Sequence, residues 1–221
     1  MLLSTPSRRY PRRWNGWIDM FMRFPRLTLT PAVLAIAATW ATAVAGQDRP
    51  DGLVSEFRAG VLYHDASIFV SPGNGNRVER DGVDANLELL FRSPGFLDAV
   101  GSPRPHVGFT VNTEGATSQI YAGLTWNWSL SERIFLEFGG GGAVHNGETD
   151  DIPPDPAEPY TAASGDKLLG CRLLFRGSLA LGVRFAERHS LSLALDHISN
   201  GYLCDPNPGL DTLGLRWGYR F

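Results

Sequence analysis

Past residue 46 the chain alternates apolar and polar positions again and again, and no stretch there is long and apolar enough for a membrane helix. In residues 53–64, Leu53, Phe57, Ala59, Val61 and Tyr63 share one parity, while Glu56, Arg58, Gly60 and His64 share the other. In residues 83–92, Val83, Ala85, Leu87, Leu89 and Phe91 alternate with Asp84, Asn86, Glu88 and Arg92. The same period marks Val107, Phe109 and Val111, then Ile120 to Trp128, then Ile134, Leu136 and Phe138. It returns in residues 170–185, where Arg172, Arg176 and Arg184 share the polar parity, in residues 189–199, and from Leu213 to Phe221. Successive side chains of a strand point to opposite faces, so each segment has an apolar face and a face that carries charge.

This pattern predicts eight strands, several of about 10 to 12 residues, the length a tilted strand needs to cross a bilayer. The expected fold is therefore all-β, an eight-stranded antiparallel outer-membrane barrel, eight being the smallest usual number for closure. A soluble sandwich would also bury the apolar faces, but it gives no reason for charge on the opposite face of nearly every hairpin. In so narrow a barrel side chains fill the interior, so Arg and Glu on the polar face are expected to pair with each other inside it. Short connections at 129–132 and 186–188 suit periplasmic turns, and the long polar segments 65–82 and 146–167 suit external loops. A longer periplasmic connection at 93–104 and a short external one at 114–117 depart from that rule.

The first 45 residues read differently. Arg8, Arg9, Arg12, Arg13, Arg23 and Arg26 precede an uncharged run that ends in Ala43-Val44-Ala45. This is the composition of a secretory signal peptide cleaved after Ala45, leaving residues 46–221 as one barrel domain. The whole chain has a net charge of −3, and the leader takes six Arg and one Asp with it, so the mature part carries 14 basic and 22 acidic groups. An acidic chain with one lysine, Lys167, and no basic cluster is a poor nucleic-acid binder. Export places Cys171 and Cys204 in an oxidising compartment, where a disulfide tethering two external loops is a hypothesis. His64, His106, His145 and His189 lack metal-ligand spacing and are assigned to lumen or loops; no metal or cofactor is expected. Gly139 to Gly142 lack the Lys-Ser/Thr of a phosphate loop and suit close packing in a barrel wall.

Candidate chemistry is concentrated near the C-terminus, in the stretch DHISNGYLCDPNPGLDTLGLRWGYRF from Asp196 to Phe221. His197 and Ser199 continue the lipid-facing row Leu191, Leu193, Leu195, and Asp211 heads the row Leu213, Leu215, Trp217. All three polar groups are expected outside the barrel, at the external ends of two adjacent strands. A serine hydroxyl becomes a useful nucleophile when a His removes its proton and a carboxylate fixes the other ring nitrogen. Ser199, His197 and Asp211 supply those three parts. The side-chain amides of Asn200 or Asn207 and the backbone N–H groups around Gly201 are the candidate oxyanion donors. Each has an ordinary turn-forming alternative.

His197-Ile198-Ser199-Asn200, then Pro206-Asn207-x-Gly209, an acid at 211 and an aromatic C-terminal strand together resemble the outer-membrane lipid A 3-O-deacylases of the PagL type, described broadly as acyloxyacyl hydrolases. FRAGVLYHD near residue 57 and GSLALGVRFAERHSLSL before the motif extend the resemblance more weakly. It implies Ser199 as nucleophile, His197 as base and Asp211 as acid, with Asn207 or amides near Gly201 in the oxyanion hole. It further implies a metal-free hydrolysis that releases a 3-hydroxy fatty acid from lipid A of the bacterial outer membrane. The well-known members carry Glu where this chain has Asp211. A homodimer is compatible with the sequence. The rival readings are a non-catalytic structural or adhesive barrel, and a phospholipase or acyltransferase using the same triad.

Overall fold

The computed structural model describes residues 52–69, 79, 82–149, 154–155, 158–162 and 165–221. The expected leader, residues 1–45, lies outside the described residues. In chain order the strands are β1 (Val54–Tyr63), β2 (Val83–Phe91), β3 (Arg104–Asn112), β4 (Gln119–Ser129), β5 (Ile134–His145), β6 (Pro154–Asp155), β7 (Glu158–Ala162), β8 (Leu173–Phe185), β9 (His189–Ser199) and β10 (Leu210–Arg220). Apart from β6 and β7, which pair only with each other, all of them join one closed antiparallel barrel. Closure is made by β1 on β10, in register from Glu56 opposite Arg220 to Tyr63 opposite Leu213. In hydrocarbon an unpaired backbone group costs several kcal/mol, so a sheet can span the membrane only without an edge.

All eight expected barrel strands form. Val61, Leu193 and Leu215 are 63%, 52% and 54% exposed, which marks the apolar parity as the outer, lipid-facing wall. At the barrel end that carries the 186–188 turn, this wall bears aromatic rings, with Trp217 and Tyr219 5.5 and 5.2 Å from His189. His189 therefore belongs to an interfacial belt on the outer wall, and not to lumen or loop, because its parity is that of Leu191. Three further details differ from the expected pattern. β5 continues beyond Phe138 to His145, because Gly139 to Gly142 remain in strand conformation. Gly123 faces Gly141 across β4 and β5, and a Cβ on Gly141 would collide with the Ala122 carbonyl. The connection 93–104 holds a 3-10 turn over Gly95–Val100, and the long segment between β5 and β8 holds the β6–β7 hairpin.

The interior is a packed network of charge. Arg58 bonds Glu56 at 2.7 Å, Glu88 at 3.2 Å and Glu137 at 2.7 Å, and Arg104 bonds Glu56 and Glu137 at 2.6 and 2.9 Å. Nearer the middle, Asp196 joins Arg176 to Arg216, and Arg176 stacks 3.8 Å from the centre of the Tyr121 ring. These pairs come from the polar parity of seven strands, so they tie distant parts of the chain across the lumen. Their individual worth is small once desolvation is counted, but loss of one member strands its partners.

Glu137→Gln leaves Arg58 and Arg104 short of one carboxylate and is expected to destabilise the barrel by about 3–5 kcal/mol. Urea unfolding of the refolded barrel in lipid, followed by tryptophan fluorescence, would show a lower midpoint. An unchanged midpoint would mean that the remaining carboxylates compensate the charge.

Candidate active site

The alternation that builds the wall also delivers the polar cluster to it. On β9 the lipid-facing row from Leu191 continues through His197 to Ser199, and on β10 the corresponding row ends at Asp211. The antiparallel register sets Asp211 directly opposite His197, and on the other side β8 sets Phe175 opposite Ser199. The inward neighbours Ile198 and Leu210 join Tyr121, Ala143, Leu169 and Leu174 in an apolar plug beneath the cluster. That plug backs the two strand ends with buried apolar side chains.

The three side chains form one hydrogen-bonded line. His197 Nδ1 lies 2.6 Å from Asp211 Oδ1, and His197 Nε2 lies 3.1 Å from Ser199 Oγ. Because a carboxylate can only accept, Nδ1 donates to Asp211, and in the neutral ring that leaves the Nε2 lone pair for the serine hydroxyl, the arrangement a general base requires. Phe69 sets its ring edge-on to His197, with centroids 5.7 Å apart.

Asp211 departs from the sequence expectation. Its parity is outward, but its side chain is 0% exposed, against 31% for His197. The loop after β1 covers it: the N–H groups of Ile68 and Phe69 donate to Asp211 Oδ2 at 2.8 and 2.7 Å, and Ala66 N–H donates to its main-chain oxygen at 2.8 Å. One carboxylate oxygen therefore takes two backbone donors while the other takes the His197 ring. Sequence parity could not reveal this, because the covering groups are main-chain amides that any residue types would supply.

The loop that covers Asp211 is rooted by charge. His64 Nδ1 lies 2.9 Å from Asp84 Oδ2 and Nε2 lies 3.1 Å from Glu79 Oε2, so both ring nitrogens donate to carboxylates. Burial alone would push His64 down, but hydrogen bonds and charge from Asp84 and Glu79 outweigh it and raise the imidazolium from 6.5 to about 10. Glu79 in turn accepts from the N–H and hydroxyl of Thr117 at 3.1 and 2.9 Å.

The segment 200–209 closes the site from the other side. Asn200, a candidate oxyanion donor by sequence, spends its amide differently: Nδ2 donates to the carbonyls of Leu169 and Pro206 at 3.0 and 2.8 Å. It is buried and its amide fastens the loop, with no hydrogen bond to Ser199 among the described residues. Its backbone N–H donates to Asn207 Oδ1 at 2.8 Å, which fixes the Asn207 amide plane and leaves that side chain's NH2 group as a donor. Gly201 adopts φ +62, a left-handed conformation that glycine accepts without strain. Cys171 and Cys204 are joined as a disulfide, tying this loop to the segment before β8. Phe175, opposite Ser199, and Tyr202 and Leu203 in the loop that follows it are exposed apolar side chains.

The family model for lipid A 3-O-deacylase (PagL) matches residues 101–220, more than half of the chain. The chain belongs to the lipid A 3-O-deacylase (PagL) family. The lipid A deacylase PagL of Bordetella bronchiseptica is 27% identical over 96 residues, a match that covers 43% of this chain and 46% of that relative. The chain thus aligns with about half the length of that relative. A crystal structure described as the outer membrane enzyme PagL superposes with a TM-score of 0.51 at 19% identity, covering 76% of this chain and 100% of that chain, and shows the same fold. PagL-family membership and the barrel fold make this an outer-membrane protein. The span matched to PagL contains His197, Ser199, Asn207 and Asp211 but ends short of the Asp211-covering loop at 66–69.

The raised His64 dictates the sign of a pH effect. Its contribution to stability is complete below the unfolded value of 6.5 and is lost as pH rises through about 10. The difference in urea midpoint between wild type and His64→Gln is expected to shrink as the pH is raised through that range. A constant difference would show that His64 acts only by shape.

Proposed function

We propose that the protein is an outer-membrane serine esterase that hydrolyses the 3-O-linked acyl chain of lipid A, with Ser199 as nucleophile, His197 as general base and Asp211 as the acid that orients it. The observation that carries this reading is the line Asp211–His197–Ser199, with contacts of 2.6 and 3.1 Å, on the outer wall of a barrel. A triad on that wall suits a substrate whose acyl chains lie in the bilayer and whose ester lies at the interface. Membership of the PagL family supports the same substrate class. The N-terminal 45 residues are read as an export leader that is removed on the way to this membrane.

In the proposed reaction Ser199 Oγ attacks the ester carbonyl while His197 Nε2 takes its proton, and Asp211 stabilises the imidazolium. The oxyanion is received by the Gly201 N–H and the Asn207 NH2 group. Collapse of the tetrahedral intermediate breaks the bond to the sugar 3-oxygen, which leaves with the proton from His197. A water molecule, deprotonated in turn by His197, then attacks the acyl-serine, releasing a 3-hydroxy fatty acid and restoring the hydroxyl. The chain's own residues supply every proton transfer in this sequence. Lipid A enters sideways from the outer leaflet, over Phe175 and Leu203.

Mass spectrometry of lipid A from cells carrying the wild type or Ser199→Ala in the outer membrane tests the reading. Loss of one 3-hydroxyacyl group with the wild type alone is expected, and Asp211→Asn should lower kcat by about 10³- to 10⁴-fold. Unchanged lipid A with both proteins folded and inserted would redirect the site to another lipid ester, or to a barrel without catalysis.

A further inference from the structure

Lys167 is the single lysine of the chain, and it is 1% exposed. Its Nζ donates to Asp65 Oδ1 at 2.6 Å and to the carbonyl of Gly209 at 3.2 Å. Asp65 is equally buried, and its second oxygen accepts the Glu79 N–H at 2.7 Å. Taking an ammonium and a carboxylate out of water costs several kcal/mol for each ion, so a pair like this is a poor source of stability compared with two apolar side chains. What an ion pair supplies instead is a fixed distance and direction between the two segments that carry it.

Those two segments both lead to Asp211. From Asp65 the chain passes at once to Ala66, Ile68 and Phe69, whose N–H groups hold the carbonyl and Oδ2 of Asp211. Asp65 and Ser67 have φ of 48° and 49°, a left-handed conformation that residues with a side chain rarely adopt, so this turn needs external support to keep its amides convergent. From Gly209, the other contact of Lys167, the chain reaches Asp211 in two residues. The lysine thus joins the loop that covers the carboxylate to the strand end that bears it.

We propose that Lys167 and Asp65 are positioning residues: their buried ion pair locks the 66–69 amides onto Asp211 and so holds that carboxylate on His197. The proposal rests on Asp211 being the acid of the esterase site. Neither residue touches Ser199 or His197, and the family-model match excludes the Asp65 segment. With the pair removed, the turn relaxes, Oδ2 exchanges its two amide donors for water, and Asp211 is free to rotate away from the ring. Phe69 leaves the edge of His197 with it.

Turnover of lipid A in micelles by the refolded full mature chain tests this, comparing Lys167→Met and Asp65→Asn in the wild-type and Asp211→Asn backgrounds. Each substitution is expected to lower kcat by about 10- to 100-fold with KM changed less than about twofold, as for misplacement of a catalytic group. In the Asp211→Asn background the same substitutions should change kcat less than about twofold, since the group they position has lost its function. Asp65→Asn keeps the shape of the side chain, which provides a folded variant if Lys167→Met fails to insert; heat-dependent gel mobility reports folding. Equal losses in both backgrounds, or full kcat in a folded variant, would overturn the positioning role. Wild-type kcat in Asp211→Asn itself would instead remove the triad reading, and the proposal with it.

Discussion

A sheet in hydrocarbon has nowhere to place an unpaired amide or carbonyl, and the rest of this structure depends on that constraint. It forces β1 onto β10, and once the sheet is closed every side chain has only two destinations, lipid or lumen. The period-two pattern is then read out directly as an apolar outer wall and a charged interior. The lumen is too narrow for a water-filled channel, so the charges inside it must satisfy one another. Glu56, Glu88 and Glu137 on β1, β2 and β5 meet Arg58 and Arg104, and Asp196 meets Arg176 and Arg216. The interior network and the outer wall are two outcomes of one alternation.

The same constraint explains how a polar cluster comes to lie on the lipid side. Closure fixes the register of neighbouring strands over their whole length, because a one-residue slip would turn every leucine of the wall inward. The register that pairs Leu193 with Leu215 therefore also pairs His197 with Asp211, two antiparallel steps of the same face further on. No separate device is needed to bring these two side chains together. Loops are a different matter, since beyond the bilayer there is neither lipid nor closure to hold them. There the structure uses covalent and ionic ties: the disulfide on the segment 200–209, and His64, Glu79, Asp65 and Lys167 around the loop after β1.

How far the sequence could be read follows from this division. The strands, their facing, the internal pairing of Arg with Glu and the approach of His197 to Asp211 were legible because each depends on parity alone. The extension of β5 through Gly139 to Gly142 was not, because glycine carries no apolar or polar mark. The covering of Asp211 was illegible for a related reason, since its donors are backbone amides of Ile68 and Phe69 brought back across 142 or more residues. Asn200 was misread because Asn next to Gly after a candidate nucleophile suits an oxyanion donor and a loop fastener equally. Only the positions of the Leu169 and Pro206 carbonyls decide between them. Lys167 carried a faint signal, as a lone lysine in an acidic chain, but nothing in the sequence named its partner.

An aspartate in this position, one methylene shorter than glutamate, is accounted for by the geometry of the strand pair. Directly opposed residues on antiparallel strands stand about 5 Å apart at their Cβ atoms, so a short carboxylate already reaches the near nitrogen of the ring. The 2.6 Å contact between Asp211 Oδ1 and His197 Nδ1 is made in an unbroken β9–β10 register. A short side chain also leaves Oδ2 close to the main chain, within reach of amides from a covering loop, and it has one rotatable bond fewer to be fixed. The cost is that little slack remains: the carboxylate must be held where it is, because it cannot compensate for a shift of the strand end by extending. Short reach and a tightly built cover are therefore complementary features, and both come together at the lip of the barrel, where the lipid-imposed register ends and the loops begin.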